Sequence, residues 1–375
     1  MNAFTSTNEQ PKPPPAARDM QSVVDAALAT LVAARFAPGR YARWLGNARE
    51  QRGGSGGEGG AVNPYGCADA ANILYTLGHF PRTSDADEAR ERDAAVRALQ
   101  EMQNADSGLF CEATHHTYHV TAHCAAALEL FDARPRHPLR TLGFLDAPDA
   151  LENFLEQLDW KKSPWNSSHQ GAGIFAARVI AGEATPGWQE RYFAWLWREA
   201  DEVSGFWRRG AVATSAAEAE ERRGAAGDER APLFHSLAGS FHYLFNHEHA
   251  RRPLRFPSAM IDSCLRIRAQ NQHPTLGAAV SFAEVDWVYC LTRASRQCAH
   301  RFAEAQAALR EFAAEYCDFL LMLVRDARTQ GRPPFEDLHT LFGMLCALAE
   351  LQTALPGTIR TARPLHLVLD RRPFI

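Results

Sequence analysis

Apolar residues recur along most of this chain at the spacing of an α-helix, in blocks broken by short polar turns. Val23, Val24, Ala27, Leu28 and Leu31 set the first helix, over about residues 20–36. Further helical patterns cover about 67–77, 88–103, 115–131, 147–159, 168–181, 188–201, 233–246, 257–269, 282–295, 300–325 and 336–354. Taken in order they give twelve helices in six hairpins, with negligible strand. Residues 1–19 contain Lys12-Pro-Pro-Pro15 and little that could pack, so they are expected to form a disordered tail. The helical domain spans 20–356. Residues 357–375 are apolar enough to dock on it as an extended segment.

Three turns share one layout: Gln103 to Phe110, Leu158 to Trp165 and Ala200 to Trp207. Each has a helix end, an acidic residue, a small turn residue and an aromatic. Residues 270–277 form a degenerate fourth copy. These turns resemble the repeats of the terpenoid cyclase and protein prenyltransferase superfamily, where a Gln-x-x-Asp-Gly-aromatic turn separates outer from inner helices. The resemblance implies an all-α fold, a single six-hairpin α/α toroid with twelve helices alternating outer and inner. Six-hairpin glycosidases, (α/α)6 polysaccharide lyases and sugar epimerases share that outline, so the fold leaves function open.

Composition narrows the field. The 375 residues carry a net charge of −4, which gives no global electrostatic case for nucleic acid. No apolar run is long enough for a membrane span, and no signal peptide is visible. Eight scattered cysteines without a CxxC pair read as reduced, buried thiols of a cytoplasmic protein. The glycine-rich run 53–60 lacks the Lys-Ser/Thr ending of a phosphate loop, and 211–231 reads either as a lid or as a solvated insertion. The expected partner is a small molecule.

In a toroid the inner helices begin at one end, and the residues in their first turns border the mouth. These are Tyr65 and Asp69; His115, His116 and His119; Trp165, Ser168 and His169; His235; Glu284, Asp286 and Trp287; and Glu336, Asp337 and His339. Capping accounts for Asp and Ser at such positions but not for His. The catalytic candidates are therefore His116, His119, His169, His235, Asp286, Asp337 and His339, with Tyr65, Asp69, Trp165, Glu284 and Trp287 around the substrate. Leu128, Ile174, Phe241 and Leu345, deeper in the same helices, are expected in the core, and His123 is assigned a structural role.

Neutral imidazoles beside carboxylates suit acid–base chemistry near pH 7. A polar, His-rich cavity fits a carbohydrate better than a polyene. The expected function is thus a lyase, hydrolase or isomerase acting on a polar small molecule, with no cofactor. Two alternatives stay open, an isoprenoid-handling enzyme and a non-enzymatic helical scaffold.

Zinc enters as a competing expectation. His115, His119 and His123 lie at i, i+4, i+8, and a pair of them could chelate with His169, His235 or His339. Asp262-Ser-Cys264 with His339 is similar to the prenyltransferase zinc set, but it falls on an outer helix, so no zinc is expected there. The acid motif of the cyclases is absent, its nearest counterpart being Asp85-Ala-Asp87-Glu88 at the opposite end.

Overall fold

A computed structural model describes residues 17–45, 62–212, 232–270 and 279–375. The expectations placed on residues 1–16, on 53–60, on most of 211–231 and on 271–277 fall outside the described residues. The described chain is mostly helical: α1 (Gln21–Ala34), α2 (Pro64–Thr76), α3 (Ala86–Glu101), α4 (Thr117–Leu130), α5 (Ala150–Glu156), α6 (Pro164–Ala181), α7 (Pro186–Glu199), α8 (Pro232–Ala250), α9 (Pro257–Ala269), α10 (Ala283–Gln297), α11 (Phe302–Thr329) and α12 (Leu338–Ala354).

Several helices start earlier than the apolar pattern suggests, and the reason is local. Proline is pre-organised for the first helical turn and lacks the N–H that would be orphaned there. Pro64 and Pro164 therefore extend α2 and α6 by about a turn beyond their apolar repeats. Asn63 caps α2 by accepting from the backbone N–H of Tyr65 at 2.8 Å, and Asp337 caps α12 by accepting from that of His339 at 2.9 Å. The caps fix where the first polar side chains of those helices stand. At α5 the pattern runs long. A 3-10 turn, Arg140–Asp146, takes up part of that stretch and leaves a short helix.

The helices sort into two kinds. In α2, α4, α6, α8, α10 and α12 almost every face is buried, including polar positions such as Asp69, His123 and Asp286. Helices apolar or buried all round belong inside a core. Their alternates bury one face and expose the other, as in α3, where only Ala98 and Leu99 are fully covered, and α7, which buries Trp188, Tyr192, Trp195 and Leu196. The six buried helices contact one another in a cycle: α2 with α4, α4 with α6, α6 with α8, α8 with α10, α10 with α12, and α12 back to α2. Leu128, Ile174, Phe241 and Leu345 are buried within it.

Among the described residues strand is confined to two small pairs. β2 (Arg35–Ala37) pairs antiparallel with β3 (Arg40–Tyr41), and β1 (Arg18–Asp19) pairs in parallel with β4 (Ile359–Arg360). The β1–β4 pair ties the chain before α1 to the chain after α12. Beyond β4 the tail runs under the C-terminal ends of the cyclic helices. Arg293, fully buried, donates to Glu350 and to Asp370; Asn246 Nδ2 donates to the Pro373 carbonyl at 2.8 Å; Arg371 donates to Glu129 at 2.7 Å. Phe374 and Ile375 are buried.

All eight cysteines are free thiols, six of them buried, among them Cys124, Cys290 and Cys346. Among the described residues no helix is long and apolar enough to cross a membrane.

Candidate active site

The cycle brings polar side chains from five helices to one place. Asp69, on the second turn of α2, is its hub. Its Oδ1 accepts from His123 Nε2 at 2.9 Å and from His339 Nδ1 at 3.1 Å. All three residues are buried. Tyr65, one turn earlier on the same face of α2, hydrogen-bonds His119 Nδ1 through its hydroxyl. Its ring stacks on His115 at 4.7 Å and meets the edge of His339 at 4.7 Å.

Two further imidazoles complete the group. His169, on α6, lies 4.1 Å from His119 and 4.6 Å from His242, centroid to centroid, and His242 comes from the third turn of α8. Ser168 Oγ is 3.1 Å from His242 Nδ1. Phe374, from the tail, reaches the cluster from the opposite end, 4.9 Å from His119 and 5.8 Å from His242.

A charged rim stands above. His115 Nδ1 is 3.0 Å from Glu112 Oε1, and the Thr114 hydroxyl donates to the same oxygen at 2.6 Å. Arg43 lies over the Tyr65 ring and donates to Asp337 at 3.1 Å and to Thr114 at 2.7 Å. It is held there because residues 43–45 run antiparallel to 336–338: the Leu338 N–H donates to the Arg43 carbonyl, and the Leu45 N–H to that of Glu336. Gly66 makes this close approach feasible. A Cβ there would sit 2.5 Å from the carbonyl carbon of Ala42 and 2.6 Å from the Arg43 nitrogen.

Burial dominates the electrostatics. It pushes His242 down to about 3. It pushes His339 down to about 4, although Asp69 pulls the other way. His119 and His169 fall well below the usual range, first through burial and then through the neighbouring imidazoles. At neutral pH these rings are neutral. Burial acts to raise Asp69, but the two histidines that donate to it outweigh that effect and hold its carboxyl low. Glu112 is likewise opposed by burial yet held at about 2 by His115, Thr114 and Arg43.

Of the residues singled out in the sequence, the structure brings together Tyr65, Asp69, His119, His169 and His339. Asp337 belongs to the rim, where it caps α12 and holds Arg43 and Trp44 rather than an imidazole. His116 caps α4, its Nδ1 accepting from the Tyr118 N–H at 3.2 Å, and its neighbour His115 stacks on Tyr65 instead. Trp287 donates from Nε1 to the Cys264 carbonyl and packs on Phe312, toward α9 and α11. Glu284 accepts from Ser281 at 2.6 Å. Trp165 and His235 are half-buried near the starts of α6 and α8, and Asp286 is buried on α10. On α9, Asp262 accepts from His300 and Arg301, and Cys264 is buried.

First-turn reasoning passed over His123, His242, Glu112 and Arg43. His242 lies two turns beyond His235, so the i, i+7 repeat of histidine on one helix was the available signal. Arg43 and Glu112 sit in connections without periodicity and gave none.

Comparison with protein-family models, curated proteins and solved structures finds no match to this chain. The functional reading therefore rests on the site itself. Two groups within it have metal-ligand spacing: His119 with His169 and His242, and Asp69 with His123 and His339.

Proposed function

We propose that the chain is an enzyme performing His/carboxylate acid–base chemistry on a polar small molecule, within the central cavity of a six-hairpin α/α toroid. The cyclic contacts of six buried helices, each followed or preceded by a half-exposed one, support the toroid. One observation carries the chemistry. His339 and His115 each have Nδ1 on a carboxylate, of Asp69 and Glu112 respectively, and their rings meet edge to face 5.3 Å apart.

A carboxylate on Nδ1 fixes the tautomer and leaves Nε2 free to take a proton. His339, deeply buried and held neutral, suits the role of general base. His115, half-exposed at the rim beside Arg43, suits delivery of a second proton, drawn from solvent, to a leaving or epimerising group, while His339 passes its own proton to solvent. Tyr65 lies between them. Arg43 supplies a fixed positive charge where a developing anion would form. Asp69 and Glu112 are positioning residues. The density of buried polar groups favours a hydroxyl-rich substrate, with carbohydrates first, over a hydrocarbon, and exceeds what a binding scaffold needs.

The test is a panel of mono- and oligosaccharides, uronates included, incubated with the protein in deuterated water and followed by proton NMR. Hydrolysis, elimination or deuterium uptake at a sugar carbon is expected for at least one substrate. His339→Ala should reduce it by about 10²–10⁴. No turnover across the panel, or turnover that survives in both His339→Ala and His115→Ala, refutes the reading.

A further inference from the structure

The His119, His169 and His242 group has a property that acid–base work does not explain. One ring nitrogen of each lies within 4.8 Å of the other two. Yet among the described residues no hydrogen bond joins any two of these rings, and His169 makes none at all. The Asp69 group differs: there two imidazoles hydrogen-bond one carboxylate oxygen. Three imidazoles that converge without sharing a proton can present their lone pairs to one point, which is the donor set of a transition-metal site.

The outer nitrogens of two rings are already engaged. His242 Nδ1 is held by Ser168 Oγ, and His119 Nδ1 by the Tyr65 hydroxyl. Imidazoles that ligate metals are ordinarily anchored in this way through the nitrogen that does not ligate. Both rings then have Nε2 left for the common centre. The three side chains come from α4, α6 and α8, neighbours in the helix cycle.

We propose that His119, His169 and His242 bind one divalent transition-metal ion of the zinc class, with a further coordination position left for water or substrate. Zinc–nitrogen bonds of about 2.0–2.1 Å place ligand nitrogens roughly 3.4 Å apart, which small ring rotations reach from the observed spacing. An all-imidazole set selects zinc, cobalt, nickel or copper over magnesium or calcium, which prefer oxygen. The partial exposure of His169 gives the ion a way in. The Asp262 and Cys264 pair on α9 takes no part.

The experiment uses the full chain stripped with a chelator and titrated with cobalt(II) alone. One equivalent should bind and give the strong visible absorption of low-coordinate cobalt, and zinc should displace it. His169→Ala should weaken binding by more than about 100-fold. Tyr65→Phe, which removes only the anchor of His119, should weaken it by about 10–100-fold. His339→Gln, in the neighbouring group, should leave one equivalent bound. Circular dichroism checks that each variant is folded. A wild-type chain that takes up no cobalt overturns the proposal, as does uptake that survives His169→Ala or disappears in His339→Gln. Because the readout is metal uptake, its failure is separate from any failure to find turnover.

Discussion

Asp69 and His339 are joined by a 3.1 Å hydrogen bond from Nδ1 to Oδ1, between helices at opposite ends of the chain. The bond is wholly buried, and a second imidazole, His123, donates to the same oxygen. Truncating the acceptor strands two buried N–H groups. Asp69→Ala should therefore lower unfolding stability by about 2–5 kcal/mol. Urea denaturation measures it, and a loss under about 1 kcal/mol would mean water replaces the carboxylate at little cost.

The neutral histidines make stability depend on pH. An imidazole whose folded-state value lies below its unfolded value of about 6.5 is protonated first in the unfolded chain, so acid favours unfolding. For His339, pushed down to about 4 by burial, the loss begins near pH 6.5 and is complete near pH 4. It amounts to about 3 kcal/mol. Around His339 stand Asp69, which opposes the shift, and Arg43 and His115, which reinforce it. In metal-free buffer, thermal unfolding should shift steadily downward across that window. In His339→Gln the slope should be shallower, and an unchanged slope would assign the acid sensitivity elsewhere.

Arg293 is buried with Glu350 and reaches Asp370 in the tail. Arg293→Ala leaves Glu350 buried without its partner and should cost about 3–5 kcal/mol. The double replacement Arg293→Met with Glu350→Leu should recover much of that, because well-packed apolar pairs substitute for buried ion pairs at little cost. Limited proteolysis of both variants would show whether the tail stays docked in each. Both variants lose the Arg293 contact to Asp370, so a looser tail in both is the expected pattern.

Gly66 offers a test of the rim. A methyl group there meets the backbone of Ala42 and Arg43, which cannot rotate aside. Gly66→Ala should cost about 1–3 kcal/mol. It should also displace Arg43 from Asp337 and lower turnover more than stability alone accounts for, which comparison of kcat well below the unfolding temperature would reveal.

Much of the helical framework was legible because apolar periodicity is a property of each segment by itself. Val23 through Leu31 declare α1 without reference to anything else in the chain. The site was legible only where its residues fall in the first turns of buried helices, as with Tyr65, His119, His169 and His339. Depth was not legible. His123 and His242 sit further along their helices and still face the centre, because Asp69 and Ser168 draw them inward and the tail fills the far end up to Phe374. The choice between His115 and His116 was equally hidden. One of two adjacent histidines had to cap α4, and only the surrounding contacts decide which.

The cyclic order of contacts has a consequence for how this molecule comes into being. Asp69 and Tyr65 leave the ribosome well before His339 and the Arg372–Ile375 segment. Until then the early helices hold a buried carboxylate and several imidazoles with half of their partners still unmade. Contacts between such distant parts of a chain are slow to form. Nascent chains arrested before α12 should therefore lack the site entirely rather than carry a weakened version of it.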